Sequence, residues 1–423
     1  MKERVAVIGT GVAGLGAAWL LRGSADITLI EREDRPGGHS NTVTVEEDGR
    51  PVKIDTGFIV FNHATYPNLV RLFEELGVPT KPSEMSFSVQ HVPAGLEYNG
   101  MGFDKVFAQR RNLLRPRFHL LLVQIVRFFR LAHEALKDPA TGALTVGEFT
   151  RKYGLGQDFL DFYLVPMSSA VWSTDPVRVL EFPALSLLHF FQNHGFLGVT
   201  THHPWFTVEG GAKAYVDKIL AALRPVRLPA KVVAVSETPG SVRVRVEGGT
   251  EEEFDRVIIA AHADEALAML AQPDAEQRRL LGAFGYQENS AILHTDESVM
   301  PRRRRAWASW NYRMTEGPQG SVKATTHYWM NALQGVSKNR NYFVSINADG
   351  QIPEAGILYR TVYTHPVFTL EAMRAQDELF SLNTRSPQQR LFFCGSYFRY
   401  GFHEDAYASA VRLAATVRPL LRP

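Results

Sequence analysis

The residues of this chain whose spacing speaks most directly of chemistry are glycines. Gly9, Gly11 and Gly14, in RVAVIGTGVAGLGAAWLL, fill the three positions of a G-x-G-x-x-G turn between an apolar strand and a helix. In such a turn the first glycine permits the sharp bend and the second lets the backbone approach a pyrophosphate. The third lets helix and strand pack closely. The helix N-terminus, with Ala13 in its first turn, then offers N–H groups and the positive end of its dipole to the phosphates. The following strand, ADITLIE, ends in Glu31, 22 residues beyond Gly9, where an acceptor for a ribose hydroxyl belongs. An acid there fits an adenosine with a free 2′-hydroxyl and disfavours NADP, while FAD and NAD both satisfy it.

Two further stretches separate those cofactors. EREDRPGGHSNTV carries a second glycine pair, Gly37-Gly38, followed by His39. VKIDTGFIVFN places Asp55, Thr56, Gly57 and Phe58 at a strand-to-loop junction, where small residues let a bulky ring system reach the backbone. Taken alone, each stretch reads equally well as an ordinary turn; in series they favour FAD. Near the C-terminus, FFCGSYFRYGFHEDAYASA runs an apolar strand into Gly395 and Ser396, then an aromatic loop, then His403, Glu404, Asp405 and Ala406. A helix is expected to begin near Asp405 or Ala406, with the two acids also suited to capping and first-turn roles.

The elements that must position these residues follow from the rest of the chain. With 423 residues and 45% hydrophobic content, it can bury a large core and is expected to divide into two or more domains. A formal net charge of +2 lends no support to a nucleic-acid partner. The single cysteine, Cys394, excludes an internal disulfide, fits a cytoplasmic location and reads as a small buried hydrophobe. No cysteine or histidine spacing suggests a metal site. The apolar run to Leu21 is not read as a signal peptide, because its glycines continue into a nucleotide-binding unit, and no stretch is apolar for long enough to span a bilayer. From residue 205, EGGAKAYVDKILAAL reads as a helix, and AKVVAVSE, SVRVRVEGG and EFDRVIIAA alternate as strands. They predict a hairpin or three-stranded sheet added to a doubly wound α/β core. The expected fold class is therefore α/β. An FAD-binding domain is expected from residues 1–85, 205–265 and 390–423. A substrate domain is expected from 86–204, mostly helical, and 266–389, irregular and rich in aromatics.

GTGVAGLGAAWLL, IEREDRPGGHSNT and DTGFIVFN resemble the FAD-binding half of the flavin-containing amine oxidase superfamily, which includes phytoene desaturases and protoporphyrinogen oxidases. DTGFIVFNHATYPNLVRLFEELGVPTKPSEMSFS, VWSTDP, FFQNHG, RRAWASWNY and CGSYFRYGFHEDAYAS are similar to a bacterial branch of NAD/FAD-binding, amine-oxidase-like proteins, and the likeness runs nearly end to end. The resemblance implies one non-covalent FAD per chain, a Rossmann-like domain built from interleaved segments, and backbone contacts from Val233 to the adenine. It also implies that the last strand and the start of the last helix lie under the isoalloxazine ring. Helix N–H groups there suit the negative charge of reduced flavin. Two positions depart from the pattern: His39 stands where arginine is common, and Ser396 where an acid commonly binds the ribityl hydroxyls.

The substrate blocks are crowded with aromatics and hold few clustered acids, which suits a lipid-like or polycyclic substrate better than a small amine. Polar residues that interrupt the aromatic runs are the candidates for the pocket: Asn193, Tyr312, Tyr328, Trp329 and Tyr400, with Asn311 and Asn331 in the same class. His194 and His403 are the candidate catalytic groups, although a lone histidine is commonly a satisfied structural residue. Over Arg117 to Leu136, Arg117, Gln124, Arg127, Arg130 and Glu134 share one side of a helix whose remainder is apolar. That pattern fits equally a core-packed helix and a basic amphipathic helix on an anionic membrane surface, which would place the protein at the inner face of the membrane. Relatives in the resembled branch accompany cyclopropane-synthase-like lipid methyltransferases, and some are associated with furan fatty acids. The resemblance thus implies an FAD-dependent desaturase of a methyl-branched or otherwise modified fatty acyl chain. An oxidase of amines or polycyclic compounds, with Lys323 as the nearest lysine, and a non-catalytic FAD- and lipid-binding accessory protein remain as alternatives.

Overall fold

The computed structural model describes residues 2–223, 226–249, 251–317, 322–386 and 388–422. Its central element is a five-stranded parallel sheet drawn from three distant stretches of chain. In spatial order the strands are Leu391–Phe393, Arg256–Ile259, Arg4–Ile8, Asp26–Ile30 and Val226–Arg227. Their apolar runs are buried on both faces, as parallel strands covered by helices must be. The helices Val12–Leu21 and His403–Val417 lie against one another beside this sheet. Tyr407 and Ala410 of the second helix close over Gly16 of the first.

The alternating stretch after residue 230 forms the expected three-stranded antiparallel sheet, Val232–Glu237, Val242–Val246 and Glu251–Phe254. The block 266–389 departs from its expected irregularity. With Phe87–His91 and Leu96–Asn99 it builds a seven-stranded sheet, whose longest strands are Gly285–His294 and Ile357–Val367. Trp310–Glu316 pairs in parallel with Phe87–His91, residues more than two hundred positions away, so local pattern alone does not reveal the sheet.

The long helix runs from Pro116 to Ala135. Phe118, Leu121, Phe128 and Leu131 are buried on the core. The polar residues turn onto a neighbouring segment: Arg117 pairs with Asp158, Gln124 accepts from Gly156 N–H, and Arg127 donates to the carbonyls of Tyr153 and Gly154. Leu120, Val123 and Val126 are left exposed. No helix among the described residues is long and apolar enough to cross a membrane.

The tightest point of the nucleotide unit is Gly14, where an added Cβ would collide with the backbone carbonyl oxygen of Gly9. Gly14→Ala is expected to cost ~1–3 kcal/mol, because backbone cannot yield as a flexible side chain can. Gly23→Ala, where a Cβ meets nothing within 4 Å, serves as the near-neutral control. Thermal denaturation of both variants checks this.

Candidate active site

The C-terminal edge of the parallel sheet opens into one cavity of about 1300 Å³ that continues between the two sheets. Gly9, Gly11, Ala13, Glu31, Gly38, His39, Thr56, Gly57 and Phe58 line one end, and Gly395, Ser396, His403 and Ala406 line its middle. Glu31 is held in place by its own chain. Its carboxylate accepts from Thr10 N–H at 2.8 Å and from the Thr10 hydroxyl at 2.6 Å, while Glu33 N–H donates to its other oxygen at 3.0 Å. Gly37 lies behind this turn and donates its N–H to Thr10 O.

Two features show that this end fits a dinucleotide. A Cβ at Gly11 would meet no protein atom within 4 Å, so its face is open to the cavity. The Nε2 of His39 is buried without a protein partner, a condition that buried polar groups rarely tolerate. The His39 ring stacks on Tyr363 at 4.8 Å and lies 5.3 Å from the ring of His365. Burial, reinforced by the neighbouring histidines, pushes its pKa well below the ordinary value. The position where the resemblance expects an arginine is therefore filled by a neutral ring that can offer a hydrogen bond and no charge. Gly57 has a steric task as well, since a Cβ there would strike the carbonyl oxygen of His39.

His403 is built into the wall. Its Nε2 meets Ser40 Oγ at 2.9 Å and Tyr215 OH at 3.0 Å, and its ring stacks on Phe58 at 3.9 Å. Burial lowers its pKa to about 3, so it is a neutral ring whose Nε2 is engaged by the wall. The geometry gives it a positioning role in place of the expected catalytic one. The helix begins at His403, two to three residues before the expected start, because Asp405 accepts from Phe402 N–H at 2.9 Å and closes the first turn. Glu404 does not face the cofactor end. Its carboxylate accepts from Asn68 N–H, Asn68 Nδ2 and Leu69 N–H, capping the neighbouring helix Pro67–Leu76.

His194 stands differently. It is buried and lines the cavity, with its ring stacked on Phe190 at 3.9 Å. Its Nδ1 lies 2.9 Å from the Phe190 carbonyl. A carbonyl oxygen only accepts, so Nδ1 carries the proton and Nε2 keeps its lone pair. Burial lowers the pKa to about 4, which keeps the ring neutral at pH 7. Tyr328 and Tyr400 also line the cavity.

Other expected pocket residues lie elsewhere. Trp329 follows Tyr328 on the same strand, so alternation sends it to the opposite face, where it donates to Asn341 and packs on Trp307. Tyr312 packs with Ala170 and Met314, outside the cavity lining. Asn193 lies outside the lining, and its carbonyl accepts from His203. Asn311 and Asn331 are consumed by backbone contacts. Val233 is exposed, and its neighbour Val232 lines the cavity beside Ala230 and Lys231. Lys323 donates to the Asp349 carbonyl and does not line the cavity.

Sequence reasoning missed Tyr359, Thr361, Tyr363 and His365, which line the cavity from one strand. Val362, Thr364 and Pro366 of the same strand line it too, so residues of both faces reach the cavity and alternation does not mark them. His262 also went unremarked; it caps its helix beside Tyr286 and has no distinguishing sequence context.

The buried carboxyl of Asp405 carries a pKa raised to about 7 by burial. Between the ordinary carboxyl value of about 4 and 7 the folded state holds a proton that the unfolded state has released, so ionisation lowers stability as pH rises. Asp405→Asn keeps an acceptor for Phe402 N–H. It is expected to match the wild type near pH 4 and to gain on it as pH rises to 7, as read by melting temperature across that range.

Comparison with known proteins agrees with this geometry. Among solved structures, cyclohexylamine oxidase from Brevibacterium oxydans IH-35A superposes with a TM-score of 0.70 at 16% identity, covering 99% of each chain. A CLA-producing fatty acid isomerase from P. acnes superposes with a TM-score of 0.68 at 15% identity, covering 98% of each. At these identities the likeness is one of fold. An L-amino-acid oxidase from Pseudechis australis is 38% identical over 72 residues, a span of 17% of this chain and 14% of that enzyme. The profile of flavin containing amine oxidoreductases matches residues 12–342. The chain therefore belongs to the flavin-containing amine oxidoreductase family and is an FAD-dependent oxidoreductase.

Proposed function

We propose that this oxidoreductase introduces a double bond into a methyl-branched or otherwise modified fatty acyl chain, carried on a phospholipid. The observation that carries this reading is the distribution of charge around the cavity. Every carboxylate in its lining, Glu31, Glu33, Asp34 and Glu265, belongs to the nucleotide end, and the one lysine, Lys231, lies beside Val232. The far end is lined by Val106, Leu122, Ile125, Phe129, Met167 and Val171. A cationic amine entering that end would lose its hydration and meet no counter-charge, which is costly; an acyl chain would lose nothing. The fatty acid isomerase in the fold comparison supports the same substrate class, whereas the cyclohexylamine oxidase supports the competing reading of an amine or polycyclic oxidase.

FAD, when bound, supplies the acceptor for a hydride, and dioxygen is the proposed final oxidant. The chain's residues supply the rest. Phe190, Phe402 and Trp205 form an aromatic shell around His194, excluding water from the reacting carbons. Removal of a hydride from one carbon and a proton from its neighbour yields the double bond. His194 Nε2 is the proposed proton acceptor, held in the correct tautomer by the Phe190 carbonyl.

Anaerobic mixing with a methyl-branched phospholipid is expected to bleach the flavin absorbance and yield an acyl chain two hydrogens lighter. Hydrogen peroxide release with amines, and no reaction with lipid, would favour the amine-oxidase reading. Flavin that stays oxidised with every lipid and amine would favour a non-catalytic accessory protein. His194→Gln is expected to slow flavin reduction by roughly 10²-fold, the ordinary contribution of a general base, with FAD content unchanged. Because its pKa is depressed to about 4, the wild-type reduction rate is expected to be level above roughly pH 6 and to fall toward pH 4. An unchanged rate in the variant would remove His194 from the reaction.

A further inference from the structure

The acyl reading leaves open how a chain anchored in a bilayer reaches a buried cavity, and the long helix answers it. Four large apolar residues of the cavity lining are also exposed: Met101, Val126, Val199 and Val362. They mark where the cavity meets the surface; Val362 belongs to the strand Ile357–Val367, and the other three fall within residues 86–204. Val126 belongs to the helix Pro116–Ala135, and the same helix exposes Leu120 and Val123. Just before it Leu114 is 88% exposed, and across the rim Val199 is 74% exposed. Scattered exposed hydrophobes are ordinary, but Leu120, Val123 and Val126 follow one another at three-residue spacing on one helix face, and the last of them lines the cavity, which marks an interaction surface.

The charge around this rim selects the partner. Between Arg110 and Ala135 the chain holds six arginines and one acid, Glu134. Arg110 and Arg305 share Asp104, and Arg117 pairs with Asp158. Arg111 and Arg127 reach only backbone carbonyls, and Arg115 and Arg130 form no ion pair among the described residues. The patch thus combines large aliphatic side chains with unneutralised guanidinium groups, the composition of an interfacial helix on anionic lipid.

We propose that this face docks on an anionic bilayer and that the acyl chain enters between Met101, Val126 and Val199. The proposal rests on the acyl reading of the cavity, and it revises the expectation drawn from sequence in one respect. The aliphatic residues Leu120 and Val123 make the insertion, while Arg117 and Arg127 are partly spent on the protein's own segment Tyr153–Asp158.

The test is co-sedimentation of the FAD-loaded protein with phosphatidylglycerol vesicles and, separately, phosphatidylcholine vesicles. The wild type is expected to pellet with the anionic vesicles at low salt, more weakly at high salt, and poorly with the zwitterionic ones. Leu120→Glu/Val123→Glu is expected to lower the bound fraction on the order of tenfold, with flavin content and melting temperature unchanged. Arg115→Ala/Arg130→Ala is expected to reduce binding mainly at low salt. A wild type that remains in the supernatant with anionic vesicles overturns the proposal, as does a glutamate variant that pellets equally. A dimer seen by light scattering and lost in the glutamate variant would assign the face to a second copy and also overturn it. Flavin reduction by detergent-dispersed phospholipid bypasses docking, so failure of docking and failure of the acyl reading are distinguished.

Discussion

The ring of His403 is the junction on which the rest of the site depends. Ser40, Phe58, Tyr215 and His403 come from four stretches of sequence, and they meet through two hydrogen bonds to Nε2 and one ring stack at 3.9 Å. That contact ties the start of the last helix to the loop after the second glycine pair. It also fixes the spacing between the nucleotide turn and the middle of the cavity. Because the ring is buried and neutral, it serves as a rigid spacer that neither attracts water nor carries charge into the site. Glu404, next in sequence, anchors the same helix start to the helix Pro67–Leu76.

From this junction the cavity divides by polarity. On one side are the acids and N–H groups that a dinucleotide needs; on the other are aliphatic and aromatic side chains, with His194 as a neutral ring among them. A charge placed in that second half would find no carboxylate or ammonium group in its lining to pair with. The same constraint explains why the histidines along the wall, His39, His365 and His194, have lowered pKa values, with burial the first cause in each. Away from the acids of the nucleotide end, these buried rings stay neutral because their surroundings do not compensate a charge.

Much of the nucleotide half was legible in the sequence because spacing alone encodes it. Gly9, Gly11, Gly14 and Glu31 are close neighbours in the chain, and their geometry is local. The three-stranded sheet after residue 230 was legible for the same reason: short alternating strands pair with their sequence neighbours. The substrate half was much less so. Whether Tyr328 or Trp329 faces the cavity is a matter of one residue of register, and that register is set by pairing with Trp310–Glu316 and Phe343–Ile346. Val232 and Val233 differ in the same way. The helix Pro116–Ala135 carried a readable amphipathic pattern, but the segment that engages its arginines lies some twenty to forty residues onward, beyond the reach of helical periodicity.

The central claim is that the apolar half of the cavity holds an acyl chain. The most direct measurement is a crystal structure of the FAD-loaded protein purified from its own cells, with attention to density between His194 and Val126. Continuous tubular density of an acyl tail running to the rim at Met101 and Val199 is the predicted result. Density for a compact amine or a fused ring system against the flavin, with the channel beyond it filled by ordered water, would contradict the claim.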